Sequence, residues 1–234
     1  MSALVSWGAA GAALALGLTA RGAFDPNSAL FGRVVSRGAK NGDRVYLTFD
    51  DGPNSEATPR ILDALAEGGA VATFFLVGRH AEMYGDLARQ VAAAGHDVGN
   101  HTYDHRKLHF LGPDAIRREL RSAHHAIAEA TGQEPALFRA PHGYRNPFVA
   151  REAARLGYTT FGWRGSVFDT ARPGAEEIRR RVARLLEPGA IVLLHDGDGY
   201  DPRGDRSQTA AALPGILEDA RARGLTFGRL SELA

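Results

Sequence analysis

Two adjacent carboxylates, Asp50 and Asp51, close the run Tyr46-Leu-Thr-Phe-Asp-Asp-Gly-Pro53, so an apolar strand pattern delivers them to its carboxyl end just before a turn. Neighbouring side chains on a tightening turn can point apart, which lets one hold a metal ion while the other moves protons. The same residues are also ordinary turn chemistry, and receiver domains that accept phosphate carry early acidic pairs too. A second cluster narrows the choice. In Asn100-His-Thr-Tyr-Asp-His105 the two histidines are four positions apart, a spacing that brings both imidazoles to one side of a helical turn. Two histidines and one carboxylate form a facial ligand set with positions left for water and substrate, as a catalytic metal site requires and a closed structural zinc site does not.

The elements that must position these groups read as repeated βα units, because short apolar runs alternate with amphipathic stretches from Arg44 onward. Seven strands are predicted: Arg44–Phe49, Val71–Val77, Asp97–Gly99, Ala136–Arg139, Thr159–Trp163, Ala190–Leu194 and Thr226–Phe227. Helical patterns fall at Thr58–Glu67, Ala81–Ala94, Pro113–Thr131, Pro147–Leu156, Ala175–Leu186 and Gln208–Arg223, and several end in a glycine suited to a left-handed C-terminal residue. With 234 residues, 44% of them hydrophobic, the chain can bury one substantial core as a single α/β domain. Its 28 basic and 27 acidic residues nearly cancel, which argues against a nucleic-acid partner, and the arginine-rich stretches read as solvated helix faces. There is no cysteine, so histidine and carboxylates are the strong metal ligands available.

Taken in order, Thr48-Phe-Asp-Asp-Gly-Pro53, His101-Thr-Tyr-Asp-His105, Arg139-Ala-Pro-His-Gly143 and Ile191-Val-Leu-Leu-His-Asp196 resemble the successive motifs of the polysaccharide deacetylases, the NodB-homology or carbohydrate esterase family 4 domain. The resemblance runs from about Arg44 to the C-terminus and implies a distorted (β/α)7 barrel with its active site at the strands' carboxyl ends. It implies one divalent metal ion, zinc first, with cobalt or nickel as alternatives, held by Asp51, His101 and His105. Asp50 would be the base that deprotonates the attacking water, and His195 the acid that protonates the departing amine. The backbone N–H at His142 would stabilise the oxyanion, and Leu193 would wall the pocket for the acetyl methyl group. Arg139 would hold the Asp50 carboxylate, and Asp169 would in turn hold the arginine.

The chain departs from the family pattern at Ser166-Val-Phe-Asp-Thr170, where Asp-x-x-Asp-Trp is usual; Trp163 or Phe168 could supply the missing apolar surface. The run Asp196-Gly-Asp-Gly-Tyr-Asp201 lacks the acid and glycine positions of a calcium loop and reads as an active-site loop. Residues 1–23 form a hydrophobic, signal- or anchor-like segment, with 3–20 free of charge, so membrane association and a membrane-anchored or exported cell-envelope location are expected. Residues 24–43 read as a linker or irregular extension, and residues 44–234 as the catalytic domain, so a chain beginning near Arg33 is expected to fold and act. The expected reaction removes N-acetyl groups from amino sugars of an oligo- or polysaccharide, with an acetylated glycan as partner. Hydrolysis of another amide or an O-acetyl ester is the alternative within enzymes, and a catalytically silent carbohydrate-binding protein the alternative outside them. The oligomeric state has no signature in the sequence.

Overall fold

In this computed structural model, which describes residues 15–234, parallel strands form one curled sheet. The strands are β1 (Arg44–Asp50), β2 (Thr73–Leu76), β3 (Asp97–Asn100), β4 (Leu137–Phe138), β5 (Thr159–Thr160), β6 (Gly165–Ser166), β7 (Ile191–His195) and β8 (Thr226–Phe227). Their order is β5-β4-β3-β2-β1-β7-β6, with β8 beside the start of β1. Helices α1 (Ala57–Glu67), α2 (Gly78–Met83), α3 (Gly85–Ala93), α4 (Pro113–Thr131), α5 (Pro147–Arg155), α6 (Ala175–Ala183) and α7 (Ser207–Ala222) flank the sheet. This is the distorted barrel of a single α/β domain. At the seam between β5 and β6, bridges from Val35 to Phe161 and from Arg37 to Ala190 bring the N-terminal extension against the barrel.

Alternation along the central strands sorts side chains between two cores. Val45, Leu47 and Phe49 of β1 pack outward beneath the helices with Val192 and Leu194 of β7. Tyr46 and Ile191 face the barrel interior with Phe75, Leu137 and Phe161. The same period carries Asp50 and His195, paired in register across β1 and β7, to the mouth of the interior. A slip of one residue would turn both away, so the apolar pattern of these strands fixes the chemistry's direction.

The helices follow their local signals. Helix α4 has a proline in its first turn, buries Ile116, Leu120, Ala123, Ile127 and Ala130 along one stripe, and stops at Gly132 with φ of 72°. Two expectations change. The stretch predicted as one helix over Ala81–Ala94 breaks at Tyr84 into α2 and α3, and the two-residue strand β6 has too little apolar sequence to announce itself.

Residues 1–14, most of the expected hydrophobic segment, lie outside the described residues, and residues 15–24 are helical. No helix among the described residues is long and apolar enough to cross a membrane. Residues 24–43 are no free linker: Arg145 is buried and donates to the Ser28 carbonyl at 2.7 Å. Removing everything before Arg33 would strip this guanidinium of acceptors, so a chain beginning there should be less stable than the full one.

Candidate active site

Asp50 is almost fully buried and gripped by a guanidinium. Arg139, at the end of β4, donates from Nη1 to Asp50 Oδ1 at 2.7 Å and to Thr48 Oγ1 at 2.7 Å, and from Nη2 to the Gly162 carbonyl at 3.1 Å. Its guanidinium carbon stands 4.2 Å from the centre of the Phe75 ring, so one buried side chain ties β1, β4 and the segment after β5 together. Burial pushes the Arg139 guanidinium down, against the opposing pull of Asp50. The expected pairing of Arg139 with Asp50 is present.

Asp51 diverges from Asp50 because its backbone enters the left-handed region, with φ of 77°. Its Oδ1 lies 3.3 Å from His101 Nε2 and 3.0 Å from His105 Nε2. The three ligand atoms all fall within 4.8 Å of one another. Although both imidazoles are close, Asp51 Oδ1 makes no hydrogen bond of acceptable geometry and is buried away from water. A buried oxygen flanked by two ring nitrogens without a hydrogen bond fits a shared cation. His101 adds to the fit: its Nδ1 donates to the Arg139 carbonyl at 2.8 Å, which leaves Nε2 as the lone-pair donor. Burial raises the Asp51 carboxyl, but the close imidazoles of His101 and His105, with His195 beyond, hold it well below the usual carboxylate range. The residues therefore fit a divalent metal.

The spacing of His101 and His105 does not arise from a helical turn. The segment between them is irregular, with positive φ at Thr102 (69°) and His105 (55°). Steric strain at non-glycine residues in this region costs about 1 kcal/mol or more each, and here it bends the chain so that both rings meet Asp51. Behind them, His80 is buried with Nδ1 2.9 Å from the Asp51 carbonyl oxygen.

Asp169 occupies a different place from the one expected of it. Its Oδ1 accepts from His195 Nδ1 at 2.8 Å, and its Oδ2 accepts from the His195 N–H at 2.8 Å and from Thr209 Oγ1 at 2.9 Å. Arg139 instead finds its acceptors in Asp50, Thr48 and Gly162, so Asp169 orients the imidazole rather than the arginine. Burial pushes His195 down, but Asp169, with Asp51 and Asp50 beyond it, holds the imidazole up at about 9. Leu193, two residues before His195 on β7, reaches the same cleft.

That cleft is about 500 Å³ and is lined by Asp50, Asp51, His101, His105, His142, Trp163, Leu193 and His195, together with Ser166, Phe168 and Thr170 of the departing motif. His142 has φ of 58°, is exposed, and places Nε2 3.0 Å from the Tyr200 hydroxyl. Tyr200 also sets its ring edge-on to His105, with centroids 5.0 Å apart, and its loop is tied down by Arg79 donating to the Gly199 and Tyr200 carbonyls. The loop reading of Asp196–Asp201 thus fits, but the part played by Tyr200 was not foreseen. Phe24 and Tyr144 also line the cleft without having been foreseen. Tyr144 follows the Arg139–Gly143 motif directly, a signal that could have marked it, whereas nothing near Phe24 in sequence points to the cleft. A larger, open depression of about 730 Å³ between α6 and α7 is lined by residues such as Arg179 and Asp219 and holds none of the site residues.

Residues 37–161 match the family model described as polysaccharide deacetylase. A chitooligosaccharide deacetylase of Rhizobium leguminosarum bv. trifolii is 39% identical over 194 residues, covering 80% of this chain and 90% of its own length. A peptidoglycan-N-acetylglucosamine deacetylase of Bacillus cereus is 38% identical over 191 residues, covering 81% of this chain and 87% of its own. Among solved structures, a carbohydrate esterase family 4 pseudoenzyme from Bacillus anthracis superposes with a TM-score of 0.77 at 32% identity, covering 85% of this chain and 67% of that one. With the motifs in order on this barrel and the matches spanning most of the fold, the chain belongs to the polysaccharide deacetylase family.

Proposed function

We propose that this protein removes N-acetyl groups from N-acetylglucosamine residues of an oligo- or polysaccharide, releasing acetate, and that it requires one divalent metal ion. The observation that carries the reading is the meeting, in one cleft, of an open ligand trio, an arginine-held carboxylate and an imidazole paired with a buried acid. Asp51, His101 and His105 would hold the ion, with zinc the first choice and cobalt or nickel alternatives. When bound, it would polarise the amide carbonyl and bring a water molecule's pKa down to roughly 7.

The chain's own groups account for the remaining steps. Asp50 accepts a proton from the attacking water while Arg139 fixes its carboxylate. The backbone N–H of His142 donates to the oxyanion as the carbonyl becomes tetrahedral. His195, kept protonated by Asp169 at neutral pH, gives its proton to the amine nitrogen as the carbon–nitrogen bond breaks. Leu193 supplies an apolar wall for the acetyl methyl group, and Trp163 stands beside it on the cleft. The two relatives named for chitooligosaccharide and peptidoglycan-N-acetylglucosamine deacetylation support an N-acetylglucosamine-containing glycan as substrate. The apolar residues 3–20 and such a substrate support an exported or membrane-anchored cell-envelope location.

Likeness to a pseudoenzyme keeps a silent glycan binder in play as the second reading. Asp50 and His195 weigh against it, since a binder needs neither a base nor an acid. The test is acetate release from a panel of N- and O-acetylated glycans by metal-stripped and metal-reconstituted protein. Release from N-acetylated oligomers only after reconstitution is expected. Ester-only release would move the reading to an O-deacetylase, and binding without release to the silent binder.

A further inference from the structure

Residues 24–28 are seated on the catalytic face by contacts that no spacer needs. Arg145, 2% exposed, directs Nη2 at three carbonyl oxygens of this one segment: Ser28 at 2.7 Å, Asp25 at 3.3 Å and Pro26 at 3.4 Å. Its backbone N–H donates to the Ala23 carbonyl at 3.0 Å. Burying a guanidinium is costly unless its N–H groups are matched, and here the matching oxygens are the segment's backbone. Asn27 makes a two-way contact with the Trp163 backbone, donating from Nδ2 to its carbonyl at 2.9 Å and accepting from its N–H at 3.1 Å.

The motif after β4 leaves room for the segment. A Cβ on Gly143 would come within 2.6 Å of Pro26 Cβ and 2.7 Å of the Trp163 ring, so only glycine permits the approach. A Cβ on Gly162 would likewise strike the Asn27 side chain. The segment thereby presents Phe24 at the rim of the cleft that holds Asp51 and His195. Phe24 meets Tyr144 and His109 edge-on, with centroids 5.3 Å apart in each case, yet remains 52% exposed. An aromatic ring locked half-exposed beside a polar cleft gains by being covered with apolar surface. The C–H face of a pyranose, with hydroxyls at its edge, supplies that surface.

We propose that Phe24, positioned by Arg145 and Asn27 and joined by Tyr144, forms a subsite for a sugar residue adjoining the one that is deacetylated. The N-terminal segment thereby sets a preference for longer chains. This inference rests on the reading of the substrate as an acetylated glycan. The wild type, Phe24→Ala, Phe24→Tyr and Asn27→Ala are compared on N-acetylglucosamine and its oligomers up to the hexamer, with kcat and KM from acetate release and folding checked by circular dichroism. In Phe24→Ala the KM advantage of the hexamer over the monosaccharide should shrink roughly five- to tenfold, with kcat moving less than KM. Phe24→Tyr should restore the advantage, and Asn27→Ala, which frees the segment, should reduce it. An unchanged hexamer-to-monosaccharide ratio in Phe24→Ala, an equal loss at every length including the monosaccharide, or a loss that tyrosine does not restore would overturn the subsite. Should the wild type release no acetate from any oligomer, the proposed function fails separately, and hexamer binding by calorimetry decides the subsite. Weaker binding by Phe24→Ala then supports it, and binding that is absent or indifferent to Phe24 overturns it.

Discussion

Replacing Asp169 with asparagine should move the proton of His195 by an amount that the structure sets. The ordinary imidazole value of 6.5 rises to about 9 here, so the folded site favours the charged ring by about 3 kcal/mol. Burial works the other way, and the Asp169 charge with its 2.8 Å hydrogen bond is the largest opposing influence. Asp169→Asn keeps an oxygen for Nδ1 but removes the charge, so burial should prevail and take His195 to 6.5 or below. The new amide NH2 would also confront the His195 N–H and Thr209 Oγ1, which both contact Oδ2, at a cost of about 1–3 kcal/mol. Nitrogen-15 NMR titration of the metal-free protein reads the first effect, and urea unfolding reads the second.

Linkage fixes the pH dependence of that pair. A His195 pKa raised on folding contributes stability that is fully present below about pH 6.5 and is lost as pH rises through about 9. Asp169 lies below its usual range, since its pairing with His195 outweighs burial, so its share is present at neutral pH and is lost as acid protonates it. The variant should therefore lose most stability near pH 5–6 and only the pH-independent cost of the amide clash near pH 10, while the alkaline limb of kcat for the metal-loaded enzyme moves toward neutrality. A wild-type His195 titrating near 6.5, or one indifferent to Asp169→Asn, would refute the reasoning.

Other outcomes follow from the same geometry. His101→Ala and Asp51→Ala should each lose bound metal, measured by elemental analysis, along with acetate release; the loss should exceed the roughly 10- to 100-fold typical of outer-sphere changes. Asp50→Asn should retain the metal while kcat falls roughly a hundred- to ten-thousandfold, because an amide cannot accept the water's proton. Arg139→Met should cost about 3–5 kcal/mol in denaturant unfolding at neutral pH, since it strands the buried Asp50 without its partner. Thr170, exposed at the cleft where the family has a tryptophan, offers a gain: Thr170→Trp should lower KM for N-acetylglucosamine oligomers by roughly fivefold with little change in kcat.

Much of this site was legible along the chain. The alternation of Tyr46–Asp50 and Ile191–His195 placed Asp50 and His195 at strand ends and on one face, because period two is built into an extended backbone. Glycine after α4 announced its end, since the left-handed residue there favours a residue without Cβ. The four-residue spacing of His101 and His105 was informative for the wrong reason: the rings converge through strained φ angles, not a helix. Strand β6 is only two residues long and its Gly-Ser sequence carries no periodicity.

The sequence by itself determined the kinds of groups available, their order, and which strand ends would carry them, since those follow from side-chain chemistry and backbone period. Only the tertiary structure decided the partnerships. Asp169 serves His195, 26 residues away, rather than Arg139, and Asn27 grips Trp163 across 136 residues. Arg145 spends its burial on the carbonyls that hold Phe24 at the cleft. Such pairings depend on how twisted strands and loops close against one another, and on which buried polar atoms must be satisfied there. Neither condition is written within any one local stretch of chain.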